Sequence, residues 1–211
     1  MIAAALEKST RWNIVTDNNG RHLDLDAKGM AALPAPDKTR FYNAVHEQAR
    51  WNFQYLFGNF PIYDSYHGGK LEKGVIYNLF EFLNGPIFLG FMRKVIDDRK
   101  IKFADAQATK YEAGHFLTEH DDGIGGKRRR CAYVLNFTRE WRTDWGGLLQ
   151  FHNADGHVDE AFMPRFNALN ILKVPQKHSV SVVAPFAGAA RYSITGWLRA
   201  GADPNRKGAK A

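Results

Sequence analysis

The sequence predicts an α+β fold, in which a helical N-terminal half packs against a C-terminal β-sandwich, jelly roll or barrel. Two observations lead to this prediction. Stretches with helical spacing dominate the first hundred residues of the 211-residue chain. After about residue 100, short runs rich in β-branched and aromatic residues follow one another, and turn signals separate them. Several short strands at such spacing are typical of all-β layers.

The N-terminal half begins with strand-like and turn-like segments. "RWNIVTD" and "RHLDLDA" flank the turn signal "NNG". Asp37 is a candidate helix N-cap, and the following "KTRFYNAVHEQARWNFQYLFGNF" shows helical spacing at Phe41, Val45 and Ala49. A second helix is predicted in "EKGVIYNLFEFLNG". The Gly85-Pro86 pair ends it and begins a third, "PIFLGFMRKVIDD".

The C-terminal half contains the predicted strands. Turn signals at "ADG" and "AGAA" lie between some of them. We therefore expect one domain over residues 1–211, with a helical support at about 1–100, a β core at about 101–200 and a flexible tail at 201–211. The predicted strands lie in "KFADAQATKY", "CAYVLNF", "GGLLQFH", "HVDEAFM", "NALNILKV", "HSVSVVA" and "RYSITGWLR".

Composition excludes few functions. Hydrophobic residues make up 45% and charged residues 24%, which are ordinary values for a globular domain. No apolar run approaches the roughly 20 residues of a membrane span, and the start does not resemble a secretory signal. The single cysteine, Cys131, rules out an internal disulfide, so we expect a buried thiol and a cytoplasmic location. The net charge of +7 favours acidic or nucleic-acid partners only weakly.

A possible metal site begins in "HFLTEHDD". Side chains two apart in an extended segment point to one face, so His120 and Asp122 are expected to converge while Asp121 faces away. His178 begins a later predicted strand. Two histidines and one carboxylate form the ligand set of non-haem Fe(II) oxygenases, which leaves coordination positions open. His120, Asp122 and His178 are therefore the predicted metal ligands.

The strand "RYSITGW" offers a binding surface for a small acid. Alternation places Arg191, Ser193, Thr195 and Trp197 on one face, which presents a guanidinium, two hydroxyls and an indole. Arginine binds carboxylates through two parallel hydrogen bonds. Tyr111, in "KYEAG" before the first predicted ligand, could add another hydroxyl.

Together these pieces resemble the Fe(II)- and 2-oxoglutarate-dependent dioxygenases of the prolyl 4-hydroxylase superfamily. They occur in the order Tyr111, H-x-D, "YVLNF", "WGGLLQF", Pro164, "HSV" and "RYSITGW", over about the last half of the chain. "HDDGIGGKRRRCAYVLNFTREWRTDWGG" with "HSVSVV" is most similar to the ribosomal-protein prolyl hydroxylase branch. The resemblance implies a double-stranded β-helix (jelly roll) core with the N-terminal helices packed on one sheet.

The resemblance also implies roles for the predicted site residues. His120, Asp122 and His178 would hold Fe(II), and Arg191 would pair with the far carboxylate of 2-oxoglutarate. Ser193, Thr195, Tyr111 and Trp197 would line the same cosubstrate site. The implied reaction consumes O₂ and 2-oxoglutarate, with ascorbate as a further candidate, and hydroxylates a prolyl residue while releasing succinate and CO₂.

The substrate itself is left open by the sequence. A proline in a peptide or protein, ribosomal or RNA-associated, is the first choice, and a free amino acid or other small metabolite is the alternative. A non-catalytic cupin-like binding module is a further alternative. We expect no membrane partner. The signal for direct nucleic-acid binding is not strong, since "KRRR" lacks interleaved aromatic residues; a solvated loop is favoured there, with an acidic or RNA-rich target as the functional alternative.

Two departures from the family pattern predict local differences. Val134 stands where relatives in the oxygen-sensing branch have a second tyrosine. The separation of His178 and Arg191 predicts a longer hairpin loop in "APFAGAA".

The loops at 123–130 and 139–146 are expected to rim the open end of the jelly roll. Trp141 and Trp145 would either stack on a substrate proline or pack under their loop. The double glycine at 146–147 indicates a bulge or a close backbone approach. We expect the remaining histidines of this half to be peripheral: His115 at a strand edge or surface, and His152 and His157 in solvent. The basic and aromatic residues expected on the rim are Lys127, Arg128, Arg129, Arg130, Arg139, Trp141, Arg142 and Trp145.

Overall fold

The computed structural model describes residues 1–8, 10–123 and 128–205. Six α-helices and twelve β-strands occur in these residues. The helices are α1 (Ile2–Lys8), α2 (Ala27–Ala32), α3 (Ala35–Ala49), α4 (Ile62–His67), α5 (Val75–Leu83) and α6 (Pro86–Ile96). The strands are β1 (Asn13–Asn18), β2 (Arg21–Leu25), β3 (Tyr55–Phe60), β4 (Ile101–Ala104), β5 (Gln107–Tyr111), β6 (Phe116–His120), β7 (Arg129–Asn136), β8 (Leu149–His152), β9 (Val158–Phe162), β10 (Ala168–Lys173), β11 (His178–Val180) and β12 (Arg191–Ala200).

The strands form one curled antiparallel sheet in the order β10-β7-β12-β5-β3-β6-β11-β8-β9. The order alternates between distant parts of the chain, as in a double-stranded β-helix, so the predicted jelly-roll class is confirmed. Its register makes neighbours of the predicted site residues. Arg191 on β12 is opposite Tyr111 on β5, and His178 on β11 is opposite His120 on β6. Strand β3 joins these two groups, because it pairs with both β5 and β6.

The N-terminal half contains more sheet than the sequence predicted. The predicted strands around "NNG" are present as the β1–β2 hairpin, and β1 pairs with β3. The long predicted helix is wrong at both ends. Its structural counterpart, α3, begins at Ala35 after Pro34, so Asp37 lies in the first turn and is not the N-cap. The helix ends at Ala49, and "YLFGNF" is the strand β3. An aromatic alternation with a period of two, together with partners on both sides, favours a strand there.

Helices pack on one face of the sheet, as the fold class requires. The main hydrophobic core includes residues of α1, α4, α5 and α6 together with inward-facing residues of β4, β7 and β12. Burying each large apolar side chain of this kind contributes about 1.5–3 kcal/mol of stability. The fully buried members include Leu6, Ile62, Leu83, Met92, Ile101, Tyr133, Ile194 and Leu198.

A smaller apolar cluster supports the opposite, concave face of the sheet. It contains Val15, Phe57, Tyr111, Val180 and Val183. These residues come from both halves of the chain, so the N-terminal hairpin and the C-terminal strands share one interior.

Membrane-spanning potential is limited to one bent pair of helices. In the described part of the chain, no single helix has the length and apolar character of a membrane span. Helices α5 and α6 reach that length and composition only when taken together, across a bend of 48°.

Candidate metal and cosubstrate site

A cavity of about 720 Å³ lies inside the curl of the sheet. Residues from β3, β5, β6, β7, β11 and β12 line it, together with the β1–β2 hairpin. Most of the predicted site residues therefore face one space. The predicted site residues that line it are Tyr111, His120, Asp122, His178, Arg191, Thr195 and Trp197.

His120, Asp122 and His178 form the candidate metal site. Their potential ligand atoms all lie within 4.8 Å of one another. Nε2 of His120 is 3.7 Å from Oδ1 of Asp122, and Nε2 of His178 is 3.6 Å from Oδ2 of the same carboxylate. Among the described residues this is the one group of three or more such side chains with metal-ligand spacing. Two nitrogens and one oxygen at these distances fit a divalent iron ion with open coordination positions.

Both histidines are oriented by backbone carbonyls. Nδ1 of His120 is 3.0 Å from the Thr118 carbonyl oxygen, and Nδ1 of His178 is 2.7 Å from that of Gln176. A carbonyl only accepts, so each Nδ1 carries the proton and each Nε2 presents its lone pair to the cavity. Burial and the neighbouring His178 lower the pKa of His120, which favours the neutral, ligating form.

The convergence of His120 and Asp122 has a different cause from the one predicted. Strand β6 ends at His120, and Asp122 has a left-handed φ of 62°, so the three residues are not an extended segment. The turn, rather than strand alternation, brings the carboxylate beside the imidazole. Asp121 is not part of this ligand cluster, as predicted, but it does line the cavity: it is exposed, and its Oδ1 accepts a hydrogen bond from the Gly123 amide.

Arg191 is a buried cation with unused hydrogen-bonding capacity. Its side chain is nearly inaccessible, with 3% of the residue exposed. Nη1 donates to the Gly147 carbonyl at 2.6 Å, whereas the buried Nε has no partner in the described structure. Burial lowers the pKa of this guanidinium, but arginine starts high enough to remain charged. Such a group, at the edge of a cavity, fits an incoming carboxylate.

Three of the four other predicted cosubstrate residues line the cavity, and one does not. Tyr111 is buried, and its ring lies 5.2 Å from the Arg191 guanidinium. Burial raises the pKa of the Tyr111 phenol, so it remains a neutral donor. Thr195 and Trp197 also face the cavity. Ser193 is instead fully buried, and its hydroxyl donates to Asn136 at 3.2 Å, because Asn136 is its cross-strand neighbour on β7.

Arg129 is a site residue that the sequence reading misplaced on the rim. Its side chain is buried, and Nη1 is 3.3 Å from Oδ1 of the candidate ligand Asp122. The guanidinium also lies 3.5 Å from the Trp197 ring centroid. Pairing between β7 and β12 shifts register between Leu198 and Arg199. Strict alternation from Val134 would have turned Arg130 inward, and the irregularity explains why Arg129 points in instead.

The remaining basic rim predicted from the sequence is mostly neutralised. Arg130 pairs with Asp98, Arg139 with Glu7 and Arg142 with Asp144. Lys127 lies outside the described residues, and Arg128 is exposed. The 139–146 loop does not line the cavity.

Trp141 and Trp145 pack under their loop. Their rings meet edge-on at 5.4 Å, and Nε1 of Trp141 donates to the Gly146 carbonyl. The double glycine is a close backbone approach, as predicted. Gly146 has a φ of 67°, and a Cβ there would lie 2.1 Å from the Val182 carbonyl oxygen.

Of the histidines expected at the periphery, one is buried and another is partly buried. His115 is buried, and Nδ1 accepts from the Glu112 amide, so its predicted surface position is wrong. His152 is hydrogen-bonded to Ser179 and lies 3.3 Å from Glu119, so it is not solvated. His157 is exposed, as predicted.

Comparisons with known proteins agree with this geometry. Residues 106–199 match the 2OG-Fe(II) oxygenase superfamily. Over 101 residues the chain is 33% identical to mouse (Mus musculus) prolyl 3-hydroxylase OGFOD1, which covers 44% of this chain and 18% of that protein. The chain thus spans about a fifth of the length of this relative.

Solved structures extend the likeness to the whole fold. A Pseudomonas putida prolyl-4-hydroxylase superposes with a TM-score of 0.54 at 17% identity, covering 96% of this chain and all of that one. A 2OG-Fe(II) oxygenase family oxidoreductase from Burkholderia pseudomallei gives 0.56 at 15% identity, covering 97% and 92%. Residues 106–199, which contain the His-Asp-His group and Arg191, therefore match the 2OG-Fe(II) oxygenase superfamily, and the chain as a whole shares the fold of these solved structures.

Proposed function

We propose that this protein is an Fe(II)- and 2-oxoglutarate-dependent dioxygenase that hydroxylates a prolyl residue in a peptide or protein. The observation that carries the proposal is the combination of the His120, Asp122 and His178 cluster with the buried, incompletely paired Arg191 in one open cavity. A binding module with no chemistry would have no need of a three-ligand metal site beside a buried cation whose Nε lacks a hydrogen-bond partner in the described structure.

The chain's own residues bind and orient the reactants. His120, Asp122 and His178 would hold Fe(II), which when bound supplies the O₂-dependent oxidation coupled to decarboxylation of 2-oxoglutarate. Arg191 would hold the far carboxylate, with the Tyr111 phenol and the Thr195 hydroxyl beside it. Trp197 would wall the same space, where its buried indole Nε1 has no partner in the described structure. The apolar residues around the cavity exclude water from the reaction.

A polypeptide substrate is supported by the shape of the site. The exposed residues of the lining lie in the β1–β2 hairpin, at Phe53 and at 121–123, so a chain could reach the cavity from this side. The similarity to a protein named as a prolyl 3-hydroxylase points the same way. We further propose a ribosomal or RNA-associated target protein in a reducing cytoplasm. The segment resemblance supports the target class, and the buried, unpaired Cys131 supports the compartment.

The test is an activity assay with matched substrates. Purified protein is supplied with Fe(II), 2-oxoglutarate and O₂, and offered either proline-containing peptides or free proline. We expect succinate and a one-oxygen mass gain on the peptide proline in equal molar amounts. His178→Ala should abolish both products. Efficient hydroxylation of free proline with none on peptides would overturn the protein-substrate proposal in favour of a small-metabolite hydroxylase.

A separate experiment addresses the target. Ribosomal and RNA-associated proteins from cells with and without this protein are compared by mass spectrometry, and cell fractionation locates the protein itself. Identical proline modification in both samples would remove the ribosomal proposal without affecting the assay on peptides. Recovery of the protein from an oxidising compartment would remove the cytoplasmic proposal.

A further inference from the structure

An aromatic wall stands at the mouth of the cavity, outside the segment that matches the family. Phe53 and Tyr55 alternate with Gln54 at the start of β3, and the sequence continues the alternation at Trp51 and Phe57. The Phe53 ring centroid is 5.5 Å from that of His120 and 5.6 Å from that of Tyr55. Phe53 is 46% exposed although it lies against a candidate metal ligand. An open aromatic face this close to the reacting position is available to a substrate.

The wall is rigid before any substrate arrives. The fully buried Gln54 accepts hydrogen bonds from the Asp17 amide and the Thr16 hydroxyl, and its Nε2 donates to the Asp17 carbonyl. The Tyr55 hydroxyl lies 2.6 Å from Nδ1 of His22 on β2. These bonds fix the hairpin to β3, so a ligand would meet a preformed surface with little entropy left to lose.

The charges that remain at the mouth are carboxylates. Of the charged residues described around the cavity, Arg129 is paired with Asp122 and Arg191 lies deep. Asp17 and Asp121 also line the cavity, the first buried and the second exposed, and each accepts one hydrogen bond from a backbone amide. An aromatic face flanked by carboxylates is a favourable environment for a cationic side chain. The described mouth is therefore acidic, the opposite of the basic rim that the sequence suggested.

We propose that the wall formed by Phe53 and Tyr55, with the carboxylates of Asp17 and Asp121, binds a lysine or arginine side chain next to the target proline. The preferred substrates are then extended segments in which a basic residue adjoins that proline. The inference rests on the proposed function for the identity of the target residue. An extended chain advances about 3.3–3.6 Å per residue. The 5.5 Å between the Phe53 and His120 rings therefore places the basic residue one or two positions from the proline.

The test compares peptides that differ only in charge. Each peptide carries one proline with Lys, Gln or Glu one or two positions before or after it. Binding is measured by calorimetry under nitrogen with Fe(II) and 2-oxoglutarate present, so no turnover is needed. At the favoured position, we expect the Lys peptide to bind roughly three- to tenfold more tightly than the Gln peptide, and the Glu peptide to bind most weakly. Equal affinities at every position, or tighter binding of Glu, would overturn the inference.

Two substitutions then locate the effect. Phe53→Leu keeps the apolar bulk and removes the π face, and Asp121→Asn keeps the hydrogen bond to Gly123 while removing the charge. Each should at least halve the ratio of the Gln-peptide to the Lys-peptide dissociation constant. The matched controls Phe186→Leu and Asp155→Asn, at exposed positions outside the cavity, should leave that ratio unchanged. A Lys preference that survives both changes would refute the assignment to this wall.

The two proposals fail in different ways. Charge-selective binding without oxygen transfer in the activity assay would remove the proposed function and leave the basic-residue site standing. Oxygen transfer to the peptide without charge-selective binding would support the proposed function and remove the basic-residue site.

Discussion

Replacing Arg191 with methionine tests the cosubstrate site most directly. Methionine keeps an unbranched apolar side chain similar to the arginine stem but removes the guanidinium, of which Nη1 bonds to Gly147 and Nε has no partner in the described structure. A hydrogen bond between a buried charge and a carboxylate is worth on the order of 2 to 4 kcal/mol with its geometry intact. The dissociation constant for 2-oxoglutarate should therefore rise about thirtyfold or more, since 1.4 kcal/mol is a factor of ten.

Thermal unfolding measures this change without turnover. With Fe(II) under nitrogen, 2-oxoglutarate at about 100 times its Kd should stabilise the parent by about 2.7 kcal/mol, which is roughly 5–10 °C for a chain of this size. At the same concentration Arg191→Met should retain about 0.8 kcal/mol, or roughly 2–3 °C. Without cosubstrate the variant should unfold near the parent temperature, because losing the Gly147 bond is offset by removing an incompletely paired buried cation. The exposed Arg142→Met is the control. An equal shift in parent and Arg191→Met would place the cosubstrate elsewhere.

Three further predictions use the same purified protein. His178→Ala should abolish stoichiometric binding of Fe(II), measured anaerobically by metal analysis, while Asp121→Asn should bind as the parent does; equal losses would contradict the assigned ligand set. Gly146→Ala should lower the free energy of unfolding by about 2 kcal/mol or more, because φ is positive there and the new Cβ would collide with the Val182 carbonyl. Gly90→Ala, in open space on α6, should raise it by about 0.5–1 kcal/mol. Chemical denaturation measures both values, and an unchanged free energy for Gly146→Ala would refute the close approach. Arg142→Glu should change the KM for a peptide substrate less than twofold, because Arg142 pairs with Asp144 outside the cavity. A larger rise in KM would support the basic substrate-binding rim that the sequence predicted.

The convergence of most candidate site residues on one cavity could be predicted because their order and alternation are local properties. Arg191, Thr195 and Trp197 share a face of β12, as a period of two requires, and three of the four predicted side chains on that face reach the cavity. Ser193 departs from the prediction because Asn136 occupies the neighbouring strand position and takes its hydroxyl. Which partner stands across a sheet is set by register, and a single sequence does not contain it.

Local irregularities account for most of the errors near the site. The register shift beside Arg129 changes which side chain points inward, and the left-handed turn at Asp122 produces by another route the convergence that alternation predicted. Neighbouring side chains on a strand face opposite ways, so a shift of one residue in the alternation is enough to bury Arg129 in place of Arg130. Periodicity predicts the average direction of a strand's side chains, and a bulge or turn resets it without a clear composition signal.

The N-terminal support has more to do with the site than its sequence suggested. Strand β3 lies between the strand that carries Tyr111 and the strand that carries His120, and so it joins the proposed cosubstrate and metal sides of the cavity. The family match covers residues 106–199, whereas the wall at Phe53 and Tyr55 lies outside it. The residues proposed for the reaction and the aromatic part of the mouth therefore lie in separate stretches of the chain, whereas Asp121 lies within the matched segment. Because of this separation, the mouth could change its preferred substrate through substitutions in β3 and the hairpin while the iron and cosubstrate ligands stayed the same.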